Sequence, residues 1–179
     1  MHAPGNRRPG RWTGYAACAC AFLHAAVSFY WGTGGELGLE TVGSGAVELA
    51  SAGNPWIYVA LWGVGLVKVC GGFLALALVQ PWGSRHFRRW MLLLAGWGGA
   101  ALLVLYGGVQ ILVQVLVLTD AIPAPRAMDW PGFYGHLYLW DPWFVLWGLL
   151  LGAAALHFTR NGPSAKPRPA AVPALDLGP

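Results

Sequence analysis

Four long apolar stretches, at about residues 14–31, 56–79, 90–118 and 142–158, constrain this chain more than anything else in it. Each approaches or exceeds the ~20 residues with which an α-helix crosses a hydrocarbon layer about 30 Å thick. The segments between them sort by charge. Arg7, Arg8 and Arg11 precede the first stretch, Arg85, Arg88 and Arg89 separate the second from the third, and Arg160, Lys166 and Arg168 follow the fourth. The alternate segments carry Glu36, Glu40, Glu48, Asp120, Asp129 and Asp141 against a single Arg126. Basic residues in short loops are retained on the cytoplasmic side. The expected fold class is therefore all-α: a polytopic membrane protein with four transmembrane helices in an antiparallel bundle and both termini cytoplasmic. Residues 1–12 and 160–179 are expected as cytoplasmic tails, the latter disordered because of Pro163, Pro167, Pro169 and Pro173. Residues 13–159 form the transmembrane domain on this reading.

Composition agrees. Hydrophobic residues make up 56% of the 179, and charged residues only 10%, against the roughly one quarter usual in soluble proteins. The formal charge of +4 lies in the tails and one loop, with no basic face interleaved with aromatics, so no nucleic-acid partner is expected. The partners expected are the lipid bilayer of the cytoplasmic membrane and a further copy of the chain or another membrane protein. Arg7-Arg8 followed by an apolar run with Ala25-Ala26-Val27-Ser28 has the outline of a secretion signal. However, Pro9 replaces the apolar pair of a twin-arginine signal, and Cys18 comes too soon after Arg11 for a lipoprotein site, so the segment is read as a retained helix. Cys18, Cys20 and Cys70 all fall inside helices without a C-x-x-C motif, which favours packed thiols over redox chemistry.

Local signals mark the helix ends. Asn54-Pro55 and Asp141-Pro142 each set a capping side chain before a proline at the first helical position, and Ser84 is a candidate cap for the third helix. Trp12, Trp31, Trp56, Trp82, Trp90, Trp130, Trp140 and Trp143 fall near the expected membrane surfaces, where an amphipathic ring is favoured. The glycines of the second and third stretches, Gly71 and Gly107 among them, predict close packing of those two helices. Residues 39–52 suit a short amphipathic helix on the outer surface, and Asp120–Trp140 reads as an interfacial lid or re-entrant piece. The glycine-rich run at Gly32–Gly38 has neither dinucleotide nor phosphate-loop spacing.

Lys68 is the sharpest chemical candidate. It lies about twelve residues into its helix, roughly 18 Å from the outer surface, too deep for its stem to reach water. A charged group at that depth costs about 2.5–3.5 kcal/mol on insertion scales and usually faces a cavity or a partner. Two readings stay open, a functional amine and a plain hydrogen bond across the bundle. Tyr106 lies at nearly the same level, so a Lys68–Tyr106 contact is expected. Tyr106, Gln110 and Gln114 recur every four residues as a polar stripe that must face inward, with His24 joining it in the outer half. That stripe is open to two readings, an interhelical hydrogen-bond network and a ligand site. Asp141 is read first as a cap, and Glu36 lies near the outer surface. No histidine–carboxylate set has zinc spacing, and His24 and His157 lie at opposite ends, so neither metal nor haem is expected and no cofactor is assigned.

Several strings together resemble a known family. They are His24 with Ser28-Phe29-Tyr30-Trp31-Gly32-Thr33-Gly34-Gly35, Thr41-Val42-Gly43, Lys68-Val69-Cys70-Gly71-Gly72, the run from Ala75 to Gly83, Leu105-Tyr106-Gly107-Gly108 and Leu139-Trp140-Asp141-Pro142-Trp143-Phe144. The chain resembles, over about residues 12–158, small bacterial four-helix membrane proteins grouped as a domain of unknown function. The resemblance implies four spans and supplies no catalytic residue. The function expected is a non-enzymatic accessory or small-ligand-binding membrane component. Its candidate pocket, in the outer half of the bundle, draws on His24, Glu36, Lys68, Tyr106, Gln110, Gln114 and Asp141. The alternatives are a small oligomeric transporter or channel using Lys68, and an intramembrane enzyme acting on a lipid or quinone.

Overall fold

The computed structural model describes residues 10–161, and within them the chain is all-α. Residues 1–9 and 162–179, with Arg7, Arg8, Lys166, Arg168 and most of the two expected tails, lie outside the described residues. In chain order the helices are α1 (Arg11–Gly32), α2 (Ser44–Ser51), α3 (Pro55–Val79), α4 (Pro81–His86), α5 (Arg89–Leu118), α6 (Trp130–Gly135) and α7 (Asp141–Asn161). A 3₁₀ turn, Leu39–Thr41, precedes α2, and a π-helical turn, His136–Trp140, joins α6 to α7 without a break. Four helical stretches are long and apolar enough to cross a membrane: α1, α3, α5 and the continuous rod Trp130–Asn161.

The caps explain where the rods begin. Asn54 accepts from the Trp56 N–H ahead of Pro55, which starts α3 without an orphaned donor. Asp141, expected to do the same for the last helix, does not: its backbone is already helical, with φ −72° and ψ −41°. The cap of that rod is Asp129, whose carboxylate accepts from Gly132 N–H at 3.2 Å. The last span is thereby lengthened toward the chain's N-terminus, and Asp141 is carried into its interior. Ser84 is likewise no cap for α5. It lies within α4, and α5 starts after Arg88 with no side-chain cap.

α1 packs chiefly on α3, α5 packs on α7, and α1 and α7 meet between them. Cross-links at both ends fix these pairs. Arg11 Nε, at the start of α1, donates to Val79 O at the end of α3 (3.0 Å), and Trp62 Nε1 donates to Gly32 O at the other end (3.0 Å). Arg89 donates to Thr159 O (3.0 Å) where α5 begins and α7 ends.

The close packing expected between α3 and α5 is not what forms. Gly96 of α5 does face Leu78 of α3, but several other glycines serve different neighbours: a Cβ on Gly65 or Gly72 would strike Phe29 or Phe22 of α1, and one on Gly71 would strike Trp147 of α7. A Cβ on Gly107 of α5 would come within 2.5 Å of Asp141 O. Small residues admit whichever helix arrives, and sequence spacing alone does not say which. The main core is correspondingly lean, with Ala17, Ala21, Ala75, Ala154 and Ala155 buried around Leu78, Trp147 and Leu151.

Candidate functional site

Two polar groups are buried in the acid-bearing half of the molecule, and one helix face connects them. On α1, His24, Ser28 and Trp31 follow at i, i+4 and i+7 and so share a face. Lys68 reaches that face from α3: its Nζ donates to Ser28 Oγ at 2.8 Å, and Ser28 Oγ in turn donates to His24 O at 3.5 Å. The Lys68 hydrogen bond thus goes to Ser28 and not to Tyr106.

His24 is buried in an aromatic cage. Its ring centroid lies 5.7 Å from Trp140, 5.2 Å from Trp143, 4.8 Å from Phe144 and 6.4 Å from Trp147. All four come from one face of the last rod, at i, i+3, i+4 and i+7. The His24 Nδ1 and the Trp147 Nε1 are buried and have no hydrogen-bond partner among the described residues. Unpaired buried polar atoms are costly, and in native structures each calls for a water, an ion, a ligand or a functional reason.

The second group surrounds Asp141, which is fully buried. Gln114 Nε2 donates to its Oδ2 at 2.8 Å, and His136 Nδ1 lies 3.2 Å from its Oδ1. The other imidazole nitrogen of His136 lies 3.3 Å from Val42 O, so the ring bridges the buried carboxylate and the first outer segment. The π-helical turn contains His136 and ends next to Asp141, and such turns are frequent where a side chain is re-aimed for function. Gln114 Oε1 is another buried atom without a partner among the described residues.

Trp140 ties the groups together. It stacks on His24, and its indole N–H is shared by Thr41 O (3.0 Å) and Thr41 Oγ1 (3.1 Å). Asp129 pins the same loop through Ser44 N–H, and these backbone donors hold its carboxyl below the usual carboxylate range. Trp31, against Trp140 at 5.4 Å, forms one wall of a cavity of about 80 Å³ that Glu36, Leu39, Tyr58 and Leu61 also line.

Of the residues expected in a pocket, His24 and Lys68 thus fall in one cluster, Gln114 and Asp141 in the other, and Glu36 at the outer cavity. Tyr106 and Gln110 do not join them. Tyr106 is about half exposed with its ring edge-on to Phe144 (5.1 Å), and Gln110 is half-buried with no side-chain hydrogen bond among the described residues. The reason is helical drift, since four residues turn an α-helix by about 400°, and two such steps carry Tyr106 roughly 80° from the face that Gln114 uses. Ser28, His136 and the aromatic cage are additions. Trp31, Trp140 and Trp143 were expected as surface anchors, yet Trp31 and Trp140 are buried and the Trp143 indole donates to Cys20 O at 3.3 Å. The signal that marks Trp140 and Trp143 is the i, i+3, i+4, i+7 spacing they share with Phe144 and Trp147, which reads more strongly than the preference of tryptophan for the interface.

A family model described as a protein of unknown function, DUF3995, matches residues 21–151, which hold all of both clusters. Neither the curated proteins nor the solved structures give a match.

Proposed function

The chain belongs to the DUF3995 family of proteins of unknown function, and from that premise we propose that it is a non-enzymatic membrane component that binds a small polar ligand within a four-helix bundle. The bundle is antiparallel, spans the cytoplasmic membrane and keeps both termini in the cytoplasm. Support for the arrangement comes from the cross-links at opposite helix ends, Arg11 to Val79 and Trp62 to Gly32. Support for the orientation comes from the arginines at one end and the carboxylates at the other.

One observation carries the ligand reading. Lys68 spends one of its three N–H donors on Ser28, and close by stand the His24 Nδ1 and Trp147 Nε1, with no partner among the described residues, inside a cage otherwise aromatic. In lipid such atoms find no water from outside, so a resident polar molecule is the economical way to satisfy them. The donors suit an oxygen-bearing solute that enters under the Thr41–Trp140 clasp from the outer cavity.

The test is native mass spectrometry of the full chain released from mild detergent. Wild type retains a small adduct, and Lys68→Met and His24→Leu each lose it while keeping helical content by circular dichroism. Retention by both variants, or a wild type with no adduct, overturns the reading. Transport through an oligomer is the second reading, favoured by a half-buried amine and a buried carboxylate, Lys68 where α3 meets α1 and Asp141 where the last rod meets α5. It predicts solute or proton flux in liposomes that Lys68→Met abolishes, and it is lost if wild-type liposomes are tight.

A further inference from the structure

At the base-bearing end, the short α4 connects α3 to α5. Between them lies a groove of about 590 Å³, within the 300–1,000 Å³ typical of small-molecule sites. Phe73 and Ala77 form its α3 wall, Met91 and Ala95 its α5 wall, and Trp82 and Phe87 flank the mouth. Its lining is apolar. The connection over the mouth, Gln80–Arg89, contains Arg85, Arg88 and Arg89 and no acid.

These arginines are not equivalent. Arg89 is turned to α7, where it bonds Thr159 O and lies 5.8 Å from the Phe158 ring. Arg85 and Arg88 are exposed, and neither makes a hydrogen bond or ion pair among the described residues. His86 and Phe87 lie between them in sequence, and Phe87 lines the groove itself, so both arginines stand within two residues of its lining.

An apolar trough with an unspent pair of guanidinium groups at its mouth matches one kind of molecule, an acyl chain joined to a phosphate. Guanidinium binds phosphate oxygens in a planar fork, and basic sites between transmembrane helices hold anionic headgroups. We propose that this groove is a binding site for one anionic glycerophospholipid, with an acyl chain between α3 and α5 and its phosphate on Arg85 and Arg88. The site requires only that the helices lie in a bilayer, and it is independent of the ligand reading for the other half. A second copy of the chain fits less well, because a two-fold contact through this groove would set its arginine rim against an identical one.

The test uses the full chain reconstituted in phosphatidylcholine nanodiscs with added phosphatidylglycerol, followed by native mass spectrometry of the lipid retained. Wild type keeps one phosphatidylglycerol in preference to phosphatidylcholine. The double variant Arg85→Gln, Arg88→Gln lowers that preference by roughly tenfold to thirtyfold, the loss of two guanidinium contacts near a membrane surface. Ala95→Phe fills the groove from an exposed position, leaves every charge in place and displaces the lipid. Equal retention of the two lipids by wild type overturns the proposal. So does an Ala95→Phe protein that keeps its phosphatidylglycerol, since charge alone would then hold it. A protein that runs as a dimer with Cys70, on the groove wall, shielded from a thiol reagent until the dimer is dissociated assigns the groove to a second copy and overturns it as well.

Discussion

The four spans divide into two kinds. α1 and the last rod are 39% buried over their most apolar windows, whereas α3 is 17% and α5 only 11% buried. Hydropathy runs the other way, with α5 the most apolar and α1 the least. In water the greasiest element goes inside, but lipid solvates leucine as well as a protein core does. What drives a helix to the centre of a membrane protein is its polar atoms and its capacity for close approach. α1 brings Ala17, Ala21 and Ala25 with His24 and Ser28, and α7 brings Gly148, Ala154 and Ala155 with Asp141. α5 instead turns Leu94, Leu102 and Leu105 outward, each about two-thirds exposed.

If polar atoms draw the last rod to the centre, Asp141→Ala is the most damaging single change. It strands Gln114 and His136 and leaves α5 without its polar hold on α7. Removing one member of a buried pair typically costs about 3–5 kcal/mol. Thermal unfolding in detergent, followed by circular dichroism, should show a large drop in midpoint. Leu105→Ala on α5 serves as the reference and should shift stability by no more than about 0.5 kcal/mol. Equal melting of the two variants breaks the comparison, because packing would then outweigh polarity in both pairs.

Adjacent glycines sharpen it further. A Cβ at Gly107 meets Asp141 O and Val145, whereas one at Gly108 meets nothing within 4 Å. Gly107→Ala is expected to destabilise by about 1–3 kcal/mol through overpacking. Gly108→Ala is expected to be neutral or to stabilise by up to about 1 kcal/mol, through helix propensity. The same melts read both, and a Gly107→Ala protein as stable as Gly108→Ala would mean that α5 does not sit against α7 as closely as Gly107 implies.

Much of the fold is legible in the amino-acid sequence, because spans follow from apolar length and helix starts follow from residues such as Asn54-Pro55. Which helix packs on which is not. Gly71 and Gly72 announce close approach, but one meets α7 and the other α1, and nothing in the sequence tells those neighbours apart. In the candidate site, Lys68, His24, Gln114 and Asp141 stand out as polar residues in apolar surroundings. Tyr106 and Gln110 stand out for the same reason and yet lie apart, because a spacing of four residues precesses around a helix. His136 gives no comparable signal, because one partner, Asp141, meets it only through the π-helical turn, and the other, Val42 O, is brought near by the long-range clasp.

The smallest expected effect concerns the outer loop and tests whether the clasp is local. Asp129 accepts from the backbone N–H groups of Ser44 and Gly132, which favour its ionised form and lower its pKa from the ordinary 3.8. Because the shift is downward, the contribution is complete above 3.8 and is lost as the pH falls through the lower value held in the folded protein. Between neutral pH and about 4, amide exchange at Ser44 and Gly132, corrected for its intrinsic pH dependence, should therefore be steady, and protection there should fall only in stronger acid. Asp129→Ala should show the unprotected rate at every pH. The inner pair gives the decisive contrast. Asp129 is half-buried and holds only the backbone N–H groups at the starts of α2 and of the last rod, so amides around His24 in α1 should keep their protection while Ser44 loses its own. Simultaneous loss at both places would join the clasp to the core as one cooperative unit, and the separation of a polar interior from its outer cover would fail.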